Sequence, residues 1–169
     1  HSARDTYERL LAQGLPMEAK PFAVGVRAEH PQRLIDEAQY SLPKGADRRP
    51  ETLPPADYRL AQTVGDERGV YSFCMCPGGM VVPTSTESNM LERRAFEAGG
   101  GGYLAPAVRV ADFVAGRTST DLARSHFRPG LVSADLAEVF PPFIVNGLRE
   151  ALPRFGRDIR GYDSAEANL

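Results

Sequence analysis

The sequence predicts an α+β fold, a small mixed or antiparallel sheet with helices packed on one side. Three observations carry this expectation. Residues 57–64 and 68–83 read as strands on either side of Gly65-Asp66-Glu67-Arg68-Gly69, which is a hairpin pattern. Separate runs at about 3–13, 31–40, 87–98 and beyond Pro141 place apolar residues at helical spacing. The 16 glycines and 14 prolines leave much of the remaining chain to loops.

Taken in order, Ser2-Ala3-Arg4-Asp5 fits a capping box with Ser2 as N-cap. Tyr7, Leu10 and Leu11 follow on one face, and Gly14 is placed to end that helix. Phe22 to Arg27 reads as a mostly buried strand, part of a sheet segment at about 21–28. His30-Pro31 opens a second helix whose apolar face is Leu34, Ile35 and Ala38. Residues 41–56 hold four prolines and little apolar content, so they form a surface loop. The next strand sets Tyr58, Leu60 and Gln62 against Arg59, Ala61 and Thr63.

Residues 87–98 form a helix with Met90, Leu91 and Phe96 inward, and four glycines follow at 99–102. Ordering such a run costs conformational entropy, so it is either a mobile hinge or a place of close backbone approach. A short helix at 108–115 ends at Gly116, and Ser133 caps another through Asp135 and Leu136. Pro141-Pro142 begins the clearest helix, with Ile144, Leu148, Ala151, Leu152 and Phe155 as its stripe. Residues 157–162 then leave the domain, and 163–169 form a polar tail.

Composition narrows the function classes. A formal net charge of −2, with Arg48-Arg49 and Arg93-Arg94 as isolated basic pairs, argues against a general nucleic-acid surface. No apolar run approaches the roughly 20 residues of a membrane helix. The opening HSARDTYERL has neither a signal-peptide core nor an initiator Met, so the chain is expected to start inside a longer polypeptide or after processing. Two cysteines spaced two apart cannot staple distant segments, which favours a reducing cytoplasm.

The least ordinary stretch is Arg68 to Ser85, RGVYSFCMCPGGMVVPTS. A strand carrying Tyr71, Cys74 and Cys76 meets Pro77-Gly78-Gly79, where proline ends ladder pairing and two glycines let backbone approach a flat ligand. The alternative is a plain hairpin. Cys74 and Cys76 are either small, partly buried thiols or half of a redox or metal site. Zinc needs four ligands, and the scattered His1, His30 and His126 do not supply them, so no metal is expected. His30 is read as a helix-start residue bonding free amides, with catalysis as the rival. Arg27 either binds a carboxylate or pyrophosphate through its fork or pairs with Glu29 or Glu37. No GxGxxG, Walker A, Ser-His-Asp or HExxH pattern is present.

PFAVGVRAEHPQRLIDEAQY, LPPADYRL, GVYSFCMCPGGMVV, GGGGYLAPAVRVADFVAGRTST and LPRFGRDIRGYD together resemble the inserted domain of bacterial FAD-dependent dehydrogenases, often labelled NAD-utilising dehydrogenases and related to the HI0933-like flavoproteins. YSFCMCPGG is the most specific of these matches. The resemblance implies a Rossmann-type FAD-binding domain outside this chain. Residues 1–169 would then be a single substrate or cap domain, with a helical part at 103–162, entered at HSARDTY and left at IRGYDSAEANL. Where the family runs on after VVPTSTES, this chain passes from Ser88 straight to Asn89, so a stretch is missing.

The resemblance further implies FAD in the complete protein, not bound by this chain alone, and NAD(P) as a candidate redox partner. The chain alone is then expected to be inactive. Its partners are the FAD-binding domain of the same polypeptide and a small-molecule substrate. Cys76, Pro77, Gly78 and Gly79 become the cofactor-facing residues, Arg27 and Tyr71 the substrate contacts, and Cys74, Cys76 and Tyr71 the catalytic candidates. The rival readings are a non-catalytic module for RNA or a protein partner, and cysteine-based redox or metal chemistry.

Overall fold

Apolar side chains from Leu34 through to Leu169 at the chain's end meet in one core, in which Ile35, Val108, Val110, Phe113 and Val139 are fully buried. The structure is a computed structural model and describes residues 3–21, 23–45, 49–65, 67–80 and 90–169. The elements are α1 (Arg4–Ala12), α2 (Gln32–Tyr40), β1 (Ala61–Val64), β2 (Arg68–Tyr71), α3 (Met90–Ala98), β3 (Ala105–Ala107), α4 (Val110–Val114), β4 (Leu131–Ser133), α5 (Leu136–Val139) and α6 (Pro142–Asp158). The α+β class is as the sequence predicts. Its sheet content is divided, with β1–β2 antiparallel and β3–β4 parallel.

The hairpin forms in the expected place, with Ala61 opposite Tyr71 and Val64 opposite Arg68. Both strands are shorter than the sequence suggests. Tyr58 and Leu60 are buried ahead of β1, and β2 stops at Tyr71. Part of the expected second strand, residues 81–83, lies outside the described residues. Helix α6 starts at Pro142 with Pro141 as its N-cap and buries Ile144, Ala151, Leu152 and Phe155 as their spacing requires. It runs on past Pro153, a residue that forgoes one helical hydrogen bond.

The four-glycine run resolves in favour of close approach. Gly100 donates to the carbonyl of Glu97 and Gly101 to that of Phe96, both at 2.9 Å, and their φ angles are +82° and +73°. This is a Schellman ending for α3. A Cβ on Gly99 would lie 2.4 Å from the carbonyl oxygen of Leu104, so that position admits no side chain without backbone movement.

Several expectations are corrected. The described residues of the segment at 21–28 form no strand: residues 23–25 and Arg27 are exposed and unpaired, only Glu29 just beyond forms a bridge, to Asn168, and Phe22 lies outside the described residues. An apolar run becomes a strand only where another backbone satisfies its N–H and C=O groups, and no described segment does so here. Ser2 lies outside the described residues, and α1 begins after Ala3 without a side-chain cap. Gly14 does end α1 in the left-handed conformation. Ser133 belongs to β4, and the cap of α5 is Asp135, which accepts from the Ala137 N–H at 2.9 Å.

The largest correction concerns the tail. Ala167, Asn168 and Leu169 are buried. Leu169 and Val108 exchange backbone hydrogen bonds at 2.8 and 3.2 Å, while Asn168 and Glu29 do so at 3.1 and 2.9 Å. The C-terminus thus threads between two extended segments. No described helix is long and apolar enough to cross a membrane.

Candidate functional site

The cysteine-glycine stretch leaves the hairpin at a defined point. The Ser72 N–H donates to the Leu60 carbonyl at 2.8 Å, and the Ser72 hydroxyl accepts from the Leu60 N–H at 2.9 Å. A side chain therefore completes the last rung, and the strand ends. Cys74 then takes a φ of +56°, unusual for a residue with a Cβ. Residues 76–79 close a turn in which the Gly79 N–H donates to the Cys76 carbonyl at 3.1 Å.

The turn is tied to α2. The Gly78 N–H donates to Gln32 Oε1 at 2.8 Å, and Gln32 Nε2 donates to Asp36 Oδ1 at 2.8 Å and to the Ala56 carbonyl at 3.0 Å. Asp36 is buried and also accepts from the Ala56 N–H at 2.8 Å and from Arg49 Nη1 at 3.3 Å. Gly78 has a φ of +64°, and a Cβ there would approach Pro55 Cγ at 3.2 Å. The left-handed conformation favours glycine there, and a side chain would crowd Pro55. Gln32 and Asp36 were missed at the sequence level. Their i,i+4 spacing on a helix face is a weak signal, and their partners lie far along the chain.

The turn brings Cys74, Cys76, Pro77, Gly78 and Gly79 together, with Tyr71 at the strand end. Tyr71, Phe73 and Met80 are exposed, Phe73 to 80%. Both thiols are free and exposed. Cys76 Sγ lies 3.6 Å from the Cys74 carbonyl, which is at most a weak contact. Both glycine N–H groups are already used. The turn can therefore offer a flat ring a surface free of Cβ atoms beside exposed aromatic and thiol groups, but not glycine amide donors. That shape fits a flavin ring as a packing face. Among the described residues no group of His, Cys, Asp and Glu is placed to hold a metal.

Arg27 belongs elsewhere. It lines a separate cleft of about 370 Å³, to which none of residues 71–79 contributes. Neither pairing expected for it forms. Glu29 binds Ser125 and His126, and Glu37 binds Arg33. His30 does not bond helix amides either. Its Nε2 meets the Tyr162 carbonyl at 2.9 Å, and its ring lies 4.3 Å from that of Tyr162 with Tyr58 behind. Burial pushes the His30 pKa below its ordinary 6.5, against the raising effect of the carbonyl contact. Burial also raises both tyrosines.

The His30 shift predicts acid sensitivity. Above about pH 6.5 the imidazole is neutral in folded and unfolded chains alike. Below it the unfolded chain takes up the proton first, so stability falls with pH until the lower folded pKa is reached, by at most about 1.4 kcal/mol per pH unit. Urea midpoints measured between about pH 8 and pH 5 should drop along this course. A His30→Gln variant should lose that part of the slope, and an equal slope in the variant would assign it to other groups.

A sequence profile of the family described as FAD-dependent protein, C-terminal domain-like, matches residues 21–92 and 88–169. A curated relative from Clostridium beijerinckii, described as an uncharacterized protein, is 36% identical over 215 aligned positions that take in 100% of this chain. The chain spans 40% of that relative's length. The 215 aligned positions exceed the 169 residues present, and the two profile segments meet at 88–92. Both fit a stretch missing between Ser88 and Asn89. Since the profile follows the sequence from residue 21 to its end, the chain belongs to the FAD-dependent protein, C-terminal domain-like family.

Proposed function

We propose that this chain is the substrate or cap domain of an FAD-dependent oxidoreductase, a dehydrogenase in its complete form, and that it covers the flavin held by an FAD-binding domain of the same polypeptide. The observation that carries the reading is the exposed turn at 76–79, held by Gln32 and free of side chains at Gly78 and Gly79, in a chain of an FAD-dependent family. In this reading Cys76, Pro77, Gly78 and Gly79 lie against the cofactor. Tyr71 faces the substrate beside the turn, Arg27 contacts a ligand from its own cleft, and Cys74, Cys76 and Tyr71 are the groups nearest the chemistry.

Bound FAD would accept or donate a hydride, with NAD(P) as a candidate redox partner. The chain's own contribution is to exclude water from the ring face and to orient the substrate. Exposed apolar residues on and after α1, among them Tyr7, Leu11, Leu15 and Met17, support the presence of a partner domain. An amphipathic helix gains most of its stability by covering such a face. In the same reading the chain is inserted into the FAD-binding domain and does not act alone.

The test uses the complete protein with FAD. Gly78→Val should shift the visible flavin spectrum and lower turnover by roughly tenfold or more, because the turn would be pushed from its position. Phe73→Ser removes no buried contact, so it should leave folding intact while weakening FAD retention. Spectra and turnover unchanged in both variants would sink the proposal.

A further inference from the structure

Away from the turn, the extended segment at 25–29, α3, β3, β4 and α5 enclose the cleft of about 370 Å³ that Arg27 lines. Its volume falls within the roughly 300–1,000 Å³ of small-ligand pockets. Most of its wall is apolar, including Val26, Leu131, Val139 and Phe140. Arg27, Glu29 and Asn168 are the polar side chains on its surface.

Two of these three are committed. Glu29 accepts from the Ser125 hydroxyl at 2.6 Å and from the His126 N–H at 2.8 Å. Asn168 accepts from the Ala123 N–H at 3.0 Å and donates to the Ala123 carbonyl at 2.9 Å. Arg27 has no hydrogen bond or ion pair with any described residue. Its guanidinium is always charged and offers paired donors that match a carboxylate edge to edge. The apolar wall favours a hydrocarbon or aromatic body, whose burial removes apolar surface from water. The Glu29 carboxylate, two residues away, disfavours a second negative charge on the ligand.

We infer that this cleft binds an apolar monocarboxylate, with its carboxylate on Arg27 and its body against Val26, Val139 and Phe140. The inference rests on the reading above only in taking Arg27 as a ligand contact, and it uses no residue of the cysteine-glycine turn.

Calorimetric titration of the complete protein with octanoate tests it, with 1-octanol as the neutral control of matched length. Saturable one-to-one octanoate binding is expected, clearly stronger than octanol binding. Arg27→Gln should weaken octanoate about tenfold or more and remove the preference over octanol, while Arg27→Lys keeps part of it. Arg27 is exposed, so these variants should melt like the parent. Ala95→Phe, which projects a ring from α3 into the cleft, should block both probes. No saturable heat up to about 10 mM octanoate, or equal binding in the Arg27→Gln variant, overturns the inference. Because the readout does not involve the flavin, a failed Gly78 test and a failed octanoate test are separable.

Discussion

Replacing Asp36 with alanine is expected to lower the melting temperature by about 6–12 °C, which corresponds to about 3 kcal/mol in a chain of this size. The Asp36 carboxylate is buried and receives three donors: Gln32 Nε2, the Ala56 N–H and Arg49 Nη1. Truncation leaves the Ala56 N–H unpaired in the interior and Arg49, half-buried, without its counter-ion. Gln32 loses one of the two acceptors of its Nε2 and keeps only the Ala56 carbonyl, so its hold on the Gly78 N–H loosens. The Gly78 amide should therefore exchange with solvent faster than the global loss of stability accounts for. Gln32→Ala should free the same amide at a smaller cost, since the Asp36–Ala56 bond survives. A melting temperature within about 2 °C of the parent for Asp36→Ala would show that the carboxylate does not hold the loop.

This hub shows where the sequence was legible and where it was not. The β1–β2 hairpin and α6 could be read because their signals are local: alternation about a glycine turn, and a proline pair ahead of an apolar stripe. Strands β3 and β4 hold three residues each, too few to show a period of two, and they pair across an intervening helix. Asp36 and Gln32 could be seen as a polar pair on a helix. That they hold Ala56 and Gly78, 20 and 46 residues away, depends on tertiary placement. Of the two readings of Arg27, a ligand's carboxylate or a pairing with Glu29 or Glu37, the sequence could not choose: that Ser125 and His126 engage Glu29, and Arg33 engages Glu37, depends on tertiary placement. The flavoprotein family was legible because YSFCMCPGG is long and unusual, while a tail rich in Asp163, Ser164, Glu166 and Asn168 gave no sign that its end is core.

That tail makes the second large prediction. Asn168 joins three segments: its backbone pairs with Glu29 and bridges to Arg109, and its side chain closes both bonds to Ala123. Asn168→Ala should cost about 2–3 kcal/mol, because the Ala123 N–H and carbonyl lose their partners where water has little access. Asn168→Asp is the more telling change. A carboxylate can still accept from the Ala123 N–H, but it turns an acceptor toward the Ala123 carbonyl where the amide turned a donor. Burial and that repulsion raise the introduced carboxyl's pKa above the ordinary value of about 3.9. The folded state then binds its proton more tightly than the unfolded state does. Stability is fully present below about pH 4 and is lost as pH rises through the folded pKa, by up to about 1.4 kcal/mol per pH unit. This runs opposite to the acid sensitivity set by His30, so the variant's denaturant midpoints should peak at a lower pH than the parent's. A variant as stable as the parent at neutral pH, with the same pH profile, would mean that the Asn168 amide does not donate to Ala123 and that the C-terminus is held by its backbone alone.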